Sequence, residues 1–490
     1  MTNGHEFAGK RVAVIGLAAT GVATARVLRD LGATVRVYDS RAEADLSPER
    51  VVEVRGLGDG VTLALDNARV DWERTDLMVP SPGVPRTAAP LAEAVRRKVP
   101  VLGEIEVAYR IARAPILAIT GTNGKTTTTA LLGAICRGAG IATSVAGNIA
   151  EDAGVRLPLI QAAVLAPPEG VIVAEISSFQ LEWVSTFRPR VAAWLNLSSD
   201  HLDRYPDFED YARAKARLFA FQTPADIAVL NRDDPGVTRY SQGAGKGQRW
   251  EFSVRDRVPI GTCLEHDLLV AAQGPVAVAH ETKTVPLMPR SEIPLPGLHN
   301  VANVLAASAI ALAFGIGRDV IRRAVRGFPG VAHRMELVAT IGGVEYVNNS
   351  MCTNPAAVSA SLEAVRDRPV VAIVGGKHKG GDLSEMIAAL QDRTAHIVLI
   401  GASAGEIGAA LDRESRRIGT GPVVEFAETL PGAVQRAARA ARPGDRVMLV
   451  PGCASFDMFT GFEQRGQVFR DAVKRLPQLE QRPEESRINQ

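Results

Sequence analysis

Short apolar runs recur along the chain, each ending in a glycine-bearing or polar break and giving way to apolar residues at helical spacing; the pattern predicts alternating strands and helices. Arg11 to Ile15 is the first such run. The loop Gly16 to Gly21, a helix to Leu31 and a second strand, Thr34 to Tyr38, follow, and Asp39 closes this β-α-β unit. Asp76 to Pro80 is a short strand opening into the rigid turn Ser81-Pro82-Gly83. Ile116 to Thr120 breaks into Gly121-Thr122-Asn123-Gly124-Lys125-Thr126-Thr127; Thr128, Leu131, Leu132 and Ile135 then fall at helical spacing, and Gly138 and Gly140 end that helix. Further strands are predicted at Val171 to Ile176, Val191 to Leu197, Ile227 to Leu230, Val370 to Val374, Ile397 to Ile400, Val423 to Phe426 and Val447 to Val450. The alternation from Arg249 to Val270 suggests hairpins.

At about 150 residues per domain, 490 residues make about three domains. The expected class is α/β: an N-terminal Rossmann-like domain over 1–110, a central P-loop-type ATPase domain with a parallel sheet over 111–330, and a C-terminal doubly wound Rossmann-like domain over 331–478. The polar tail 479–490 is expected to be disordered. Basic and acidic side chains number 56 and 54 and are interspersed, so no nucleic-acid surface is expected and any anionic ligand must be held locally. Cys136, Cys263, Cys352 and Cys453 are scattered, which argues against a disulfide framework or a cysteine zinc site and fits a reducing cytoplasm. The N-terminus lacks the apolar core of a signal peptide. Val301 to Ile316, the longest apolar stretch, is shorter than a membrane span and carries Asn303 and Ser308; a buried helix is expected there.

The chemistry concentrates in Gly121 to Thr127. A loop with little side-chain bulk lets backbone N–H groups converge on phosphate oxygens, and a helix N-terminus adds a favourable dipole. Lys125 supplies a point charge, and the Thr126 hydroxyl can ligate Mg²⁺. Ile119 stands where the usual phosphate loop has its first glycine, so this is a shorter form. Glu175, near the end of an apolar strand, is costly as an ion unless a cation or donors meet it, and Mg²⁺ beside the loop is a natural partner. Ser177 and Gln180 have the spacing of a capping box.

Ser198 to Tyr205 is a polar cluster containing His201. Phe208, Tyr211, Ala212, Lys215, Leu218 and Phe219 share one helical face, which puts Lys215 among apolar residues. There it either snorkels to water or has its charge altered; CO₂ added to its amine would give a carbamate able, with His201, to hold a second metal ion. Asp39 either meets a ribose-like diol or is a solvated turn carboxylate, and its loop lacks the middle glycine of the dinucleotide fingerprint. Asn300 and Asn303 share a face at a helix start, where capping suffices for Asn300. Lys377 and Lys379, set among four glycines, suit a carboxylate or phosphate.

Gly121 to Thr126, Gly147-Asn148-Ile149, Glu175 to Glu182, Asn196 to Tyr205, Lys215, His299-Asn300, His333-Arg334 and Ala454 to Asp457 resemble the Mur ligase family, in its usual order and over almost the whole chain. Glu175 to Glu182 and Phe462-Glu463-Gln464-Arg465-Gly466 resemble its glutamate-adding member. The resemblance implies that a cytoplasmic monomer uses ATP and Mg²⁺ to join D-glutamate to UDP-N-acetylmuramoyl-L-alanine through an acyl phosphate, in peptidoglycan precursor synthesis. It implies UDP contacts from Thr20, Asp39, Ser40, Ser81, Pro82 and Gly83, and muramoyl contacts from Asn148, Ser177 and Gln180. Gly121, Thr122, Asn123, Gly124, Lys125, Thr126 and Thr127 would hold ATP phosphates, which Arg334 would also reach. Asn300 and Asn303 would meet adenine. Thr126 and Glu175 would hold one Mg²⁺, His201 and carbamylated Lys215 a second. Thr353, Lys379, Ser455 and Phe462 would hold glutamate.

The chain departs from the family pattern at Asn349 and Met351, where an aspartate that engages the ATP ribose and often a lysine stand; the Asn349 amide oxygen can still accept a hydrogen bond. Three alternatives remain. The same chemistry could serve L-glutamate or another amino acid, as in folylpolyglutamate-type ligases, which would lack the N-terminal unit. A P-loop ATPase switch would turn over ATP with no amino-acid requirement. An NAD-dependent oxidoreductase is opposed by the missing glycine and the Lys125 loop.

Overall fold

Apolar runs buried on both faces form the core strands, as a parallel sheet covered by helices requires. The computed structural model describes residues 4–67, 69–148, 157–200, 204–275, 282–378, 380 and 382–480. The first sheet comprises β1 (Arg11–Ile15), β2 (Thr34–Tyr38), β3 (Val61–Ala64) and β4 (Leu77–Pro80), all parallel in the order β3-β2-β1-β4.

The second sheet comprises β5 (Ile116–Thr120), β6 (Thr143–Gly147), β7 (Val171–Glu175), β8 (Val191–Trp194), β9 (Ile227–Asn231), β10 (Gln248–Ser253), β11 (Ile260–Glu265), β12 (Leu268–Pro275) and β13 (Thr282–Pro289). Their order is β13-β12-β11-β10-β9-β8-β5-β7-β6, which sets β5 between β7 and β8. The hairpins expected over 249–270 need correction. β10 pairs parallel with β11, and the chain turns back only from β11 into β12 and from β12 into β13. Alternation records that a strand has one wet face; it carries no information on the direction of the neighbour. β8 is also shorter than expected, ending at Trp194, because the chain leaves the ladder there to brace the phosphate loop.

The third sheet comprises β14 (Glu336–Ile341), β15 (Val344–Asn348), β16 (Val370–Gly375), β17 (Thr394–Ile400), β18 (Val423–Phe426) and β19 (Arg446–Leu449), ordered β14-β15-β19-β16-β17-β18. All neighbours are parallel except β14 and β15, a hairpin the sequence reading missed. Its two-residue turn, Gly342-Gly343, holds φ at +58° and +78°, values that favour glycine at both positions of such a turn.

The first two sheets fall in one compact unit and the third in another, the chain passing from one to the other at Phe328-Pro329; Pro294–Asn300 goes with the second unit. The helix Leu298–Ala313 buries Val301, Val304, Leu305, Ala307 and Ile310. Among the described residues no helix is long and apolar enough to cross a membrane. All four cysteines are free and buried.

Candidate active site

β5 runs buried into the phosphate loop, and Gly124 ends the loop as the residue before the helix Lys125–Gly138. Gly124 has φ +83°, and a Cβ there would lie 2.3 Å from Asn303 Oδ1, so backbone and space both demand glycine. Asn196, just past β8, fixes the loop: its Oδ1 accepts from Asn123 N at 2.8 Å and its Nδ2 donates to Asn123 O at 3.0 Å. Lys125 Nζ donates to the carbonyls of Gly121 and Thr122, each at 2.9 Å. Asn303 Oδ1 accepts from the Thr128 hydroxyl at 3.3 Å, which puts this amide over the start of the phosphate-loop helix.

Glu175, at the end of β7, is buried and met by donors: the Thr126 hydroxyl at 2.7 Å on one oxygen and Asn148 Nδ2 at 2.9 Å on the other. Asn148, expected near the muramoyl group, thus lies on the carboxylate. Among the described residues no cluster of three or more His, Cys, Asp or Glu could hold a metal. The Thr126–Glu175 pair nonetheless fits Mg²⁺, which takes one or two protein oxygens and completes its shell with water and phosphate. Ser177 and Gln180 form the expected capping box, Gln180 Oε1 accepting from Ser177 N at 2.9 Å and Gln180 N donating to Ser177 Oγ at 3.4 Å.

Lys215 does not snorkel. It is 2% exposed, on the inner face of the helix Phe208–Ala216, with Nζ 2.9 Å from Gly121 O and 4.8 Å from the centre of the Tyr211 ring. Tyr211, which the sequence reading used only as an apolar position, brings its hydroxyl within 3.1 Å of Thr122 Oγ1. His201 lies outside the described residues.

In the first sheet Asp39 is not a solvated turn carboxylate. It is 8% exposed, its oxygens accepting from Leu17 N at 2.8 Å and from Arg41 N, Nε and Nη2 at 2.9–3.0 Å. Burial pushes its carboxyl up, but the hydrogen bonds from Arg41 and Leu17 outweigh that and hold it at about 2. Thr20 lies in the first turn of the helix Ala19–Asp30, and Ser40 is exposed beside Asp39. Ser81 Oγ donates to Gly16 O at 2.9 Å, and a Cβ on Gly21 would come within 2.0 Å of that carbonyl, which explains the second glycine of the loop. Pro82 is half-buried and Gly83 exposed. Arg204 was missed: it donates to Glu182 at 3.0 and 2.7 Å and to Val84 O at 3.0 Å and lies 4.2 Å over the Phe179 ring, so it ties the Ser81–Val84 turn to the Gln180 turn.

In the second unit Arg334 sits between His333 and Met335, both in the left-handed region at φ +62° and +48°. Burial, helped by Arg334, pushes the His299 imidazole down to about 4. Asn300 is not a cap: it lies inside its helix, and its Nδ2 donates back to Pro296 O at 2.7 Å. The Asn349 amide is engaged within its own unit, accepting from Met335 N at 3.2 Å and donating to Ser361 Oγ, on the helix Pro355–Glu363, at 2.8 Å. Thr353 follows β15, Ser455 is buried after β19, and Phe462 opens the helix Phe462–Glu480. Lys377 and Ala454 exchange backbone hydrogen bonds at 2.8 and 3.0 Å, joining the loops after β16 and β19. Lys379 lies outside the described residues.

Three known families match consecutive parts of the chain: the Mur ligase MurD-like N-terminal domain over 10–103, the Mur ligase middle domain over 119–311, and the Mur ligase glutamate ligase domain over 333–453. The UDP-N-acetylmuramoylalanine--D-glutamate ligase of Pelotomaculum thermopropionicum is 42% identical, over 96% of this chain and 99% of its own length. That of Trichlorobacter lovleyi is 40% identical, over 96% of this chain and 100% of its own length. Among solved structures, the UDP-N-acetylmuramate-alanine ligase MurC of Thermotoga maritima superposes with a TM-score of 0.59 at 19% identity, covering 95% of this chain and 99% of its own, a likeness of fold. From the phosphate loop of β5 to the paired loops of the third sheet, the chain belongs to the Mur ligase family.

Proposed function

We propose that this chain is the ATP-dependent ligase that joins D-glutamate to UDP-N-acetylmuramoyl-L-alanine in peptidoglycan precursor synthesis. The observation that carries the chemistry is the Thr126–Glu175 hydrogen bond beside Lys125, at the ends of β7 and β5, a pairing that suits magnesium and phosphate. The full-length identity to D-glutamate ligases supports the choice of substrates.

The loop Gly121 to Thr127 receives the phosphates of ATP on backbone N–H groups other than those of Thr122 and Asn123, which Asn196 already holds, and Lys125 exchanges its carbonyl partners for phosphate oxygens. A terminal carboxylate oxygen of the alanyl group attacks the γ-phosphorus and ADP departs. The free amine of glutamate then attacks the acyl carbon; inorganic phosphate leaves with the former carboxylate oxygen, and the nitrogen gives up a proton. Mg²⁺ held by Thr126 and Glu175 would neutralise charge building on the transferred phosphoryl group. A second Mg²⁺ is assigned to His201 and carbamylated Lys215, a reading supported by the burial of Lys215. Thr20, Asp39, Ser40 and Ser81 to Gly83 are assigned to the UDP group, Asn148, Ser177 and Gln180 to the muramoyl part, and Thr353, Lys379, Ser455 and Phe462 to glutamate. We take the domains to divide at residues 110 and 330, and we place the reaction in the cytoplasm, catalysed by a monomer.

The test is phosphate release and product formation with UDP-N-acetylmuramoyl-L-alanine and each amino acid in turn. D-glutamate should be required for both. L-glutamate as the better substrate would reassign the amino acid. ATP turnover at an unchanged rate without co-substrates, with no amide product, would overturn the ligase.

A further inference from the structure

The segment Phe462 to Gly466 supplies Phe462 to the proposed glutamate site, yet Arg465 is its most deeply buried charge, 1% exposed. Its guanidinium donates to Ser350 Oγ at 3.0 Å, to Ser350 O at 2.8 Å and to Cys453 O at 3.1 Å. Ser350 Oγ donates in turn to Phe462 O at 2.7 Å. Arg465 therefore fastens together the loop after β15, which carries Thr353, the loop after β19, which carries Ser455, and the helix start that carries Phe462. A Cβ on Gly376, in the loop after β16, would lie 3.2 Å from Nη1, so that loop also passes close by.

All these acceptors are neutral. Among the described residues no carboxylate forms an ion pair with Arg465; Asp457 acts on it through space while accepting from Ala402 N at 2.8 Å. Burial pushes the guanidinium down to about 10, so it is charged at neutral pH. A buried cation among neutral dipoles is destabilising unless an anion comes near. The loops it clamps are those assigned to a substrate with two carboxylates.

We propose that Arg465 is a positioning residue for the amino-acid substrate: its buried positive charge, in ion-pair contact with no carboxylate among the described residues, favours a dicarboxylate, and its three hydrogen bonds hold the loops that carry Thr353, Ser455 and Phe462. The inference rests on the assignment of those residues to glutamate. Arg465 does not itself touch the reacting atoms.

Steady-state kinetics on the full chain test this. Arg465→Met should raise KM for D-glutamate about tenfold or more, leave KM for ATP and for UDP-N-acetylmuramoyl-L-alanine within about twofold, and narrow the preference for D-glutamate over D-glutamine. Arg465→Lys, which keeps the charge, should retain that preference. A folded Arg465→Met enzyme with an unchanged KM for D-glutamate, or with all three KM values raised alike, would overturn the proposal. Should Arg465→Met fail to fold, Ser350→Ala decides: it removes the bridge to Phe462 and leaves the charge. Its KM for D-glutamate should rise about threefold or more with the other two unchanged, and no rise overturns the clamp. Wild-type enzyme without any glutamate-dependent product would instead sink the proposed function.

Discussion

Lys125 and Lys215 both place their side-chain nitrogen 2.9 Å from one acceptor, the carbonyl oxygen of Gly121. Two like charges brought to one buried point repel each other. A carbamate at Lys215, as proposed above, would turn that repulsion into attraction.

Lys215→Ala is accordingly expected to lose activity by about a hundredfold or more, and short carboxylates such as acetate should restore part of it. Rate measurements across a carboxylate series check this. An inactive, folded variant that no carboxylate rescues would return Lys215 to a purely structural role. Lys125→Ala should lower acyl phosphate formation by about a thousandfold, read as phosphate release dependent on the UDP-sugar.

Glu175→Gln keeps the shape of the site and removes its charge. The apparent Mg²⁺ requirement should rise about 10- to 100-fold, with activity partly regained at high Mg²⁺. A magnesium titration that superposes on wild type would take Glu175 out of the metal site.

Glu104 predicts a pH dependence of stability. Its carboxyl is wholly buried, Oε1 accepts from Ile160 N at 2.7 Å, and Oε2 meets no partner among the described residues; burial raises it from 4.5 to about 7. The unfolded chain releases this proton near pH 4.5 while the folded chain keeps it to about pH 7, so stability is fully present below the lower value and lost as pH rises through the window. Unfolding free energies of wild type and Glu104→Gln should diverge by about 3 kcal/mol, in favour of the variant, between pH 4.5 and 7. Parallel curves would show Glu104 ionised in the fold.

Glu106, on the same helix Glu104–Ile111, has the opposite sign. Burial pushes it up, but hydrogen bonds from Thr186, Ser185, Phe187 and Arg110 outweigh that and hold it below the usual carboxylate range. Its contribution is present above about pH 4.5 and lost as the solution is acidified. Glu106→Ala leaves those donors unmet and should destabilise by about 3 kcal/mol at neutral pH, measured by denaturant titration.

Residues whose task depends on neighbours in sequence were readable from the chain. Lys125 and Thr126 follow a strand and start a helix, and Ser177 and Gln180 stand at capping-box spacing. Asn196, Arg204, Tyr211 and Arg465 were not singled out because their partners are remote: Arg204 meets Val84, 120 positions away, and Arg465 meets Ser350, 115 positions away. A polar residue after a strand or on a helix face reads alike whether solvent or a second loop faces it. Asn300 shows the converse error, since a side chain that suits a cap instead bonds the Pro296 carbonyl.

The alternation of strands and helices, the phosphate loop and the family are legible in the chain alone, because hydrophobic period and glycine placement act over a few residues. It took the packed fold to show that Glu175 receives Thr126 and Asn148, that Lys215 is buried on the Gly121 carbonyl, that β10 and β11 run parallel, and that Arg465 binds two loops together. Each of these depends on which strands are neighbours in a sheet. That choice is made by packing over the whole fold and leaves no trace in local spacing.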